Sequence, residues 1–479
     1  MLREYGPLIA VLMAATALYL PTIAYPITGD SISFAKATER FAAGEAPENY
    51  KMLPVLPLFS VPLAAMTGSP LLGVILSSFA FGMLSIVAWF CIGRELFGKS
   101  TLFPLLILCP YLILFAMFRA LAEAPLICFS LLSVLFFIRA ERGNSVDFYI
   151  SALFFGLASL SRYAGLMIGL SYVLYYIIQR KRPHNRFIIG MALALLLFAS
   201  IPAANAIVHG NAFPPEYLEK IGGSGIEQSW LVRFFTFLPL QIAFILSVTH
   251  VFIPHFLKGS VSAFRKNLLF LIIIATGILF AAFSGDAWRY AIPIIPFVLI
   301  VAFSGFMQLD FSFSGRWLGR LFVAGILINM ALIPYFVSGQ AKDMADAVYA
   351  GPVTWGQVGL RNQNAVSWIN LNLPEHSTLL VAYDYVSEDS IWGEYVREDI
   401  SVIGYGHMHQ APEKFYMLYS QDSELILSNY LFVYPNGTVG QGTKTGLLNM
   451  DDYIDENYKK TIVFQDSGLP VTSVYIIDK

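Results

Sequence analysis

The chain has 479 residues, of which 57% are hydrophobic and only 13% charged, with a mean hydropathy of +0.63. A soluble domain carries about 25% charged residues, so this balance excludes an ordinary soluble protein. The formal net charge of -2 offers no basic surface for nucleic acid, which is held by clustered lysine and arginine.

Apolar runs of about 17–25 residues read as membrane spans. Taken in chain order, they fall at about Gly6–Pro26, Pro70–Gly93, Thr101–Phe118, Leu121–Ile138, Asp147–Ser161, Tyr163–Ile178, Phe187–Val208, Leu231–Pro254, Asn267–Phe283, Arg289–Gln308 and Trp317–Ser338. The first run is long for a signal-peptide core and has no clear small-residue cleavage site, so it reads as an uncleaved span. Cys91, Cys109 and Cys128 all lie inside apolar runs, and no disulfide framework is implied.

Between the spans the charges alternate. One set of loops holds Arg94 and Lys99; Arg139 and Arg142; Arg180, Lys181, Arg182 and Arg186; Lys258, Arg265 and Lys266; and Arg316 and Arg320. The positive-inside rule places this set and the N-terminus in the cytoplasm. Leu53–Thr67 is apolar but short, and is broken by Pro54, Pro57 and Pro62. Counting it as a span would invert every later loop and put Arg180–Arg186 outside. It therefore reads as an external re-entrant or juxtamembrane segment; any non-helical backbone there, at membrane depth, must be buried in protein or line a cavity.

After Ser338 the composition turns polar. Val366–Leu371 reads as a helix face, and Thr378–Tyr383, Asn429–Tyr434, Thr461–Phe464 and Ser473–Ile477 read as strands, which makes a small α/β domain. The expected architecture is a multi-pass α-helical membrane protein of about eleven spans. Its domain boundaries are 1–338, including an external loop at 27–69 with juxtamembrane helices, and 339–479, an external α/β domain. No internal repeat is visible.

Charged residues gather at the ends of spans predicted to be external: Asp30, Lys51, Arg119, Glu123, Arg162, Asp286 and Arg289, with Tyr290 beside the last. Ionisable groups at membrane depth are costly unless they meet water, a partner or a substrate. External cations also run against the positive-inside rule. An anion-binding cavity accounts for them, since the planar arginine fork can grip two phosphate oxygens at once. Structural readings stand beside this one. Arg119 and Glu123 are spaced to pair on one helix face, Arg162 could snorkel, Arg289 and Tyr290 could anchor at the interface, Lys51 could be solvated, and Asp30 could cap the helix beginning near Ile32. His407 and His409 lack further ligands at a metal-binding spacing. Asn436-Gly-Thr438 fits a glycosylation sequon.

Four stretches together resemble the polyprenol-phosphate-sugar-dependent membrane glycosyltransferases of the GT-C superfamily, related to protein O-mannosyltransferases and lipid A aminoarabinose transferases. They are Gly29–Ala37 with Lys51–Leu58, Arg119–Pro125, Gly156–Gly165 and Arg289–Pro296. The resemblance implies an aspartate acting on the acceptor, which falls on Asp30. It also implies cations holding the lipid phosphate, which fall on Lys51, Arg119, Arg162 and Arg289. Family members often carry a second acidic residue next to that aspartate. Here Ser31 stands in its place, which weakens a carboxylate-pair metal site and leaves the need for a divalent metal open; no cofactor is assigned.

The implied partners are a polyprenyl-phosphate-linked sugar, an acceptor protein, lipid or glycan, and the lipid bilayer. The implied reaction is inverting sugar transfer on the external face of the plasma membrane. An oligosaccharyltransferase-like enzyme and a multi-pass transporter are the alternatives. A transporter would show internal repeats and broken helices near the midplane.

Overall fold

The computed structural model describes residues 2–19, 29–45, 53–98, 103–108, 122–210, 212, 230–249, 252–284, 288–309, 317, 319–327, 363–381, 396–397, 399–404, 414–420, 431–433, 439–441, 459–466 and 472–478. Helices predominate in it. The chain divides into two compact units, Met1–Ile23 with Phe34–Ala341, and Ala24–Ser33 with Lys342–Lys479.

In chain order the helices are α1 (Leu2–Tyr19), α2 (Gly29–Ala42), α3 (Val55–Thr67), α4 (Pro70–Phe97), α5 (Glu123–Glu141), α6 (Asp147–Ser161), α7 (Leu166–Gln179), α8 (Asn185–His209), α9 (Trp230–Thr249), α10 (Ile253–Ser262), α11 (Phe264–Ser284) and α12 (Ile295–Phe306). Short 3-10 turns occupy Phe103–Leu108, Tyr163–Gly165 and Trp288–Ile294. Four described helices are long and apolar enough to cross a membrane: Pro70–Phe97, Glu123–Glu141, Asn185–Ile207 and Phe264–Ala282. Their outward faces are apolar, as at Leu196 (67% exposed) and Ile207 (85%). In water such a surface would be a large association patch; against lipid it is the favourable one.

Several expectations change in detail. Leu53–Thr67 is α-helical from Val55 to Thr67, so backbone pairing there is mostly within the helix, interrupted at Pro62. At 13 residues it is about 20 Å long, short of the ~30 Å hydrocarbon core. The expected span Leu231–Pro254 is interrupted: α9 ends at Thr249 and α10 starts at Ile253. Pro254 stands in the first turn of α10, where its missing N–H costs nothing. Arg289–Gln308 likewise divides into a 3-10 turn and α12, at the prolines Pro293 and Pro296. Most of the expected spans Thr101–Phe118 and Trp317–Ser338 lies outside the described residues.

Local chemistry sets the α3–α4 hairpin. Gly68 ends α3 in the left-handed region (φ 70°). Ser69 then caps α4, its Oγ accepting from the Leu72 N–H, with Pro70 at the first helical position. One turn further on, a Cβ at Gly73 would lie 2.8 Å from the Ala64 nitrogen and the Ser60 carbonyl oxygen. Glycine there lets α4 lie directly on the α3 backbone. Elsewhere in this unit α5 packs between α4 and α6, α6 packs on α8, α11 packs on α7, α9 and α12, and α10 crosses α12.

The second unit carries α13 (Gln363–Asn372) and a five-stranded sheet in the order β2 (Ser401–Gly404), β1 (Thr378–Val381), β3 (Lys414–Ser420), β7 (Thr472–Asp478) and β6 (Lys459–Asp466). β1 is parallel to β2 and β3, while β7 runs antiparallel to β3 and β6. A separate antiparallel pair joins β4 (Leu431–Val433) and β5 (Val439–Gln441). Ile369 of α13 and Leu373, just past its end, pack into a core with Leu379, Val396, Ile400 and Val474. Arg397 closes the end of α13, donating to the Asn370 carbonyl at 2.8 Å and the Leu373 carbonyl at 2.9 Å. Those carbonyls have no acceptor role left inside the helix. Asp399 holds the same guanidinium through contacts of 2.6 and 3.0 Å.

Candidate active site

One apolar cluster draws together three of the stretches picked out in the sequence. It contains Phe34 and Ala35 from α2, Val55 and Leu56 from α3, Ala122, Ala124 and Leu126 at the start of α5, and Ala158, Leu160 and Ala164 around the end of α6. Val74 and Phe81 of α4 and Cys128 and Phe129 of α5 also belong to it. Fully buried Thr38 links α2 to α3, donating to the Phe34 carbonyl at 2.7 Å and approaching the Pro57 carbonyl at 3.5 Å. The fourth stretch lies close by. A Cβ at Gly277 of α11 would meet Ile294 at 2.7 Å and the Met167 sulfur at 3.0 Å. The Trp288–Ile294 turn also touches α5.

A buried ion pair stands on this cluster. Arg162 Nη1 lies 3.1 Å from Glu123 Oε1, and the two side chains are 17% and 1% exposed. Glu123 sits in the first turn of α5, where the helix dipole favours negative charge. Arg162 is not helical: its extended backbone (φ -154°, ψ 145°) ends α6 and leads into the Tyr163–Gly165 turn. Its carbonyl accepts from the Gly165 N–H at 2.8 Å. A side chain at Gly165 would collide with the backbone of Ala158 and Ser159, so this glycine allows the turn to fold back on α6 and fixes where Arg162 leaves the chain. The arginine does not snorkel to an exposed surface. It is held inside, which a charged group tolerates only with a partner.

The other expected residues stand as follows. Asp30 is the second residue of α2, so its backbone is helical; its side chain lies outside the described set. Arg289 and Tyr290 belong to the Trp288–Ile294 turn, and their side chains are likewise outside it. Lys51, Arg119, Asp286, His407, His409 and Asn436–Thr438 lie outside the described residues. Ser31, in the place of the second acidic residue, is buried. Among the described residues no group of three histidine, cysteine, aspartate or glutamate side chains could hold a metal ion.

The sequence reading missed a second polar centre. Ser133 of α5 and Ser151 of α6 each donate to the other's carbonyl at 2.9 Å, and Ser133 Oγ lies 2.8 Å from the Tyr172 hydroxyl of α7. The Tyr172 ring stacks on Phe137 with centroids 4.1 Å apart. Isolated serines in apolar runs carry little signal, and only the packing of α5, α6 and α7 makes these a network.

Residues 52–203 match the family described as dolichyl-phosphate-mannose-protein mannosyltransferase. No curated protein matches the chain. Among solved structures, ArnT from Cupriavidus metallidurans bound to undecaprenyl phosphate is similar at a TM-score of 0.61 and 15% identity, over 98% of each chain. The oligosaccharyltransferase of Archaeoglobus fulgidus, tethered to an acceptor peptide containing an NVT sequon, is similar at 0.53 and 13% identity, over 92% of this chain and 74% of that one. These identities speak for the fold alone, while the family match covers both members of the buried ion pair. By that sequence segment and by its fold, the chain resembles the GT-C membrane glycosyltransferases.

Proposed function

We propose that the chain transfers a sugar from a polyprenyl-phosphate donor to an acceptor on the external face of the plasma membrane, with the N-terminus cytoplasmic and the second unit external. The observation that carries this reading is the buried Glu123–Arg162 pair, at 3.1 Å, inside the segment that matches a mannosyltransferase family. A guanidinium fixed by a buried carboxylate is pre-oriented. Fixed cations stabilise growing negative charge in a water-poor site at little cost of reorganisation. The undecaprenyl phosphate bound by the ArnT neighbour supports a polyprenyl phosphate as the ligand class.

In this mechanism Arg162, Lys51, Arg119 and Arg289 hold the donor phosphate, Glu123 orients Arg162, and Asp286 and Tyr290 act in support. The acceptor hydroxyl or amine attacks the anomeric carbon and its proton passes to Asp30. The bond from that carbon to the phosphate oxygen breaks, polyprenyl phosphate leaves, and the anomeric configuration inverts. A protein, lipid or cell-envelope glycan each fits as acceptor. The peptide carried by the oligosaccharyltransferase neighbour favours, as a second reading, an oligosaccharyltransferase-like enzyme with a peptide acceptor.

The test is a turnover assay in proteoliposomes, using radiolabelled polyprenyl-phosphate hexoses and pentoses with a membrane extract as acceptor source. Release of polyprenyl phosphate matched by label in an acceptor supports the reading. Donors that bind but are never consumed, or no binding to any of them, refute it.

A further inference from the structure

Among the described residues, at the end of the bundle where α7 passes into α8, cations outnumber the acids paired with them. Arg139 pairs with Asp147 at 3.3 Å, Arg142 with Glu95 at 2.8 Å and Lys181 with Glu141 at 3.4 Å. Tyr176 also donates to Glu141 at 2.6 Å. All three carboxylates are therefore engaged. Arg186 donates to the Ser145 hydroxyl at 2.7 Å, a neutral partner. Arg180 and Arg182 are exposed and have no side-chain partner among the described residues. Arg180 is in addition held in the left-handed region, φ 52°, at the end of α7.

The surface on either side of this turn is apolar and open. Ile177 and Ile178 on α7 and Ile188 and Ile189 on α8 are each at least half exposed. Only 22% of the most apolar window of α8 is buried, so its outer face is a lipid-facing one. Three guanidinium groups within seven residues thus border two helix faces that lie against acyl chains. A phospholipid's phosphate lies at that level, directly above its chains. Arginine forks match phosphate oxygens in pairs, and basic pockets beside membrane helices bind lipid headgroups.

We propose that Arg180, Arg182 and Arg186 form a seat for the phosphate of an anionic phospholipid, with Ile177, Ile178, Ile188 and Ile189 against its chains. The seat is separate from the Arg162–Glu123 centre, at the opposite ends of α6 and α7, and does not depend on the reaction proposed above. Its preference for anionic over zwitterionic lipid falls with salt, because exposed charges are screened.

The experiment uses the full chain purified in mild detergent, with retained lipid read by native mass spectrometry. Phosphatidylglycerol is titrated against phosphatidylcholine for the wild type and for Arg180→Gln/Arg182→Gln. Each cation near an anionic surface contributes roughly fivefold in affinity, so the double variant is expected to lose roughly 25-fold in preference for phosphatidylglycerol. Its unfolding midpoint in lipid-free detergent should not change, since neither side chain has a partner to lose among the described residues. An unchanged preference in the variant overturns the seat. So does displacement of phosphatidylglycerol by millimolar inorganic phosphate, which would mark a site for the free anion.

Discussion

Removing the charge of Glu123 perturbs the candidate site most cleanly. The carboxylate is 1% exposed and 3.1 Å from Arg162 Nη1. At an effective dielectric constant near 20, two unit charges at that separation attract by about 5 kcal/mol. Desolvation offsets much of this, so the pair adds little net stability, but breaking it strands a buried charge at about 3–5 kcal/mol. Glu123→Ala and Arg162→Met are each expected to cost that much. Glu123→Gln keeps an acceptor for the guanidinium but not its countercharge, and should cost about 3 kcal/mol, the low end of that range. The double replacement Glu123→Gln/Arg162→Met removes both charges, and its cost should fall short of the sum by at least about 2 kcal/mol. Equilibrium unfolding in mixed micelles, run as a double-mutant cycle, measures each value. Single costs below about 1 kcal/mol, or additive effects, would refute a buried and mutually dependent pair.

Gly165→Ala should destabilise the protein by about 1–3 kcal/mol through overpacking against the Ala158–Ser159 backbone, read as a lowered unfolding midpoint; an unchanged midpoint contradicts the close packing at that turn. Tyr172→Phe keeps the stack on Phe137 and removes only the hydroxyl bonded to Ser133, so it should cost about 0.5–1.5 kcal/mol in the same measurement. Arg397 donates hydrogen bonds to Asp399 and holds its carboxyl below the ordinary value of 3.8, with the His376 N–H assisting. A depressed carboxylate stabilises the fold above its unfolded value, and this contribution disappears as pH falls through the folded value. Hydrogen exchange over residues 363–404 of the full chain should therefore accelerate as pH falls below about 4, relative to the intrinsic rates. Asp399→Asn should remove that acid-dependent step and exchange faster at neutral pH; an identical acid profile in the variant would contradict the assignment.

Where periodicity and length decide the outcome, the sequence was a good guide. Asp147–Ser161 forms a helix with the expected bounds, and Asn185–His209 extends the expected Phe187–Val208 by two residues at one end and one at the other. Proline chemistry was harder to read. Pro54, Pro57 and Pro62 suggested irregular backbone, yet only Pro62 lies well inside α3, and the helix around it stays continuous. In the second unit the strands with apolar runs were visible, whereas β2, β3 and β5 were not. β2 and β5 are four and three residues long, and such strands are defined by their partners more than by their own pattern.

The candidate site shows the same division. Arg162 and Glu123 stood out as charges in apolar surroundings, but spacing along the chain pointed Glu123 towards Arg119. Its pairing with Arg162 depends on the fold of α5 against α6. Ser133, Ser151 and Tyr172 left no sequence signal at all, because their network exists only between helices.

The central claim, that this fold transfers sugar with Asp30 as the base, is tested most directly by the transfer rate of Asp30→Asn in proteoliposomes. Asparagine keeps the shape and the helix-starting character of the residue and cannot accept the proton. With correct insertion verified, the rate should fall by about 10²–10⁴-fold, the usual worth of a general base, while binding of polyprenyl phosphate is retained. Transfer at the wild-type rate would contradict it.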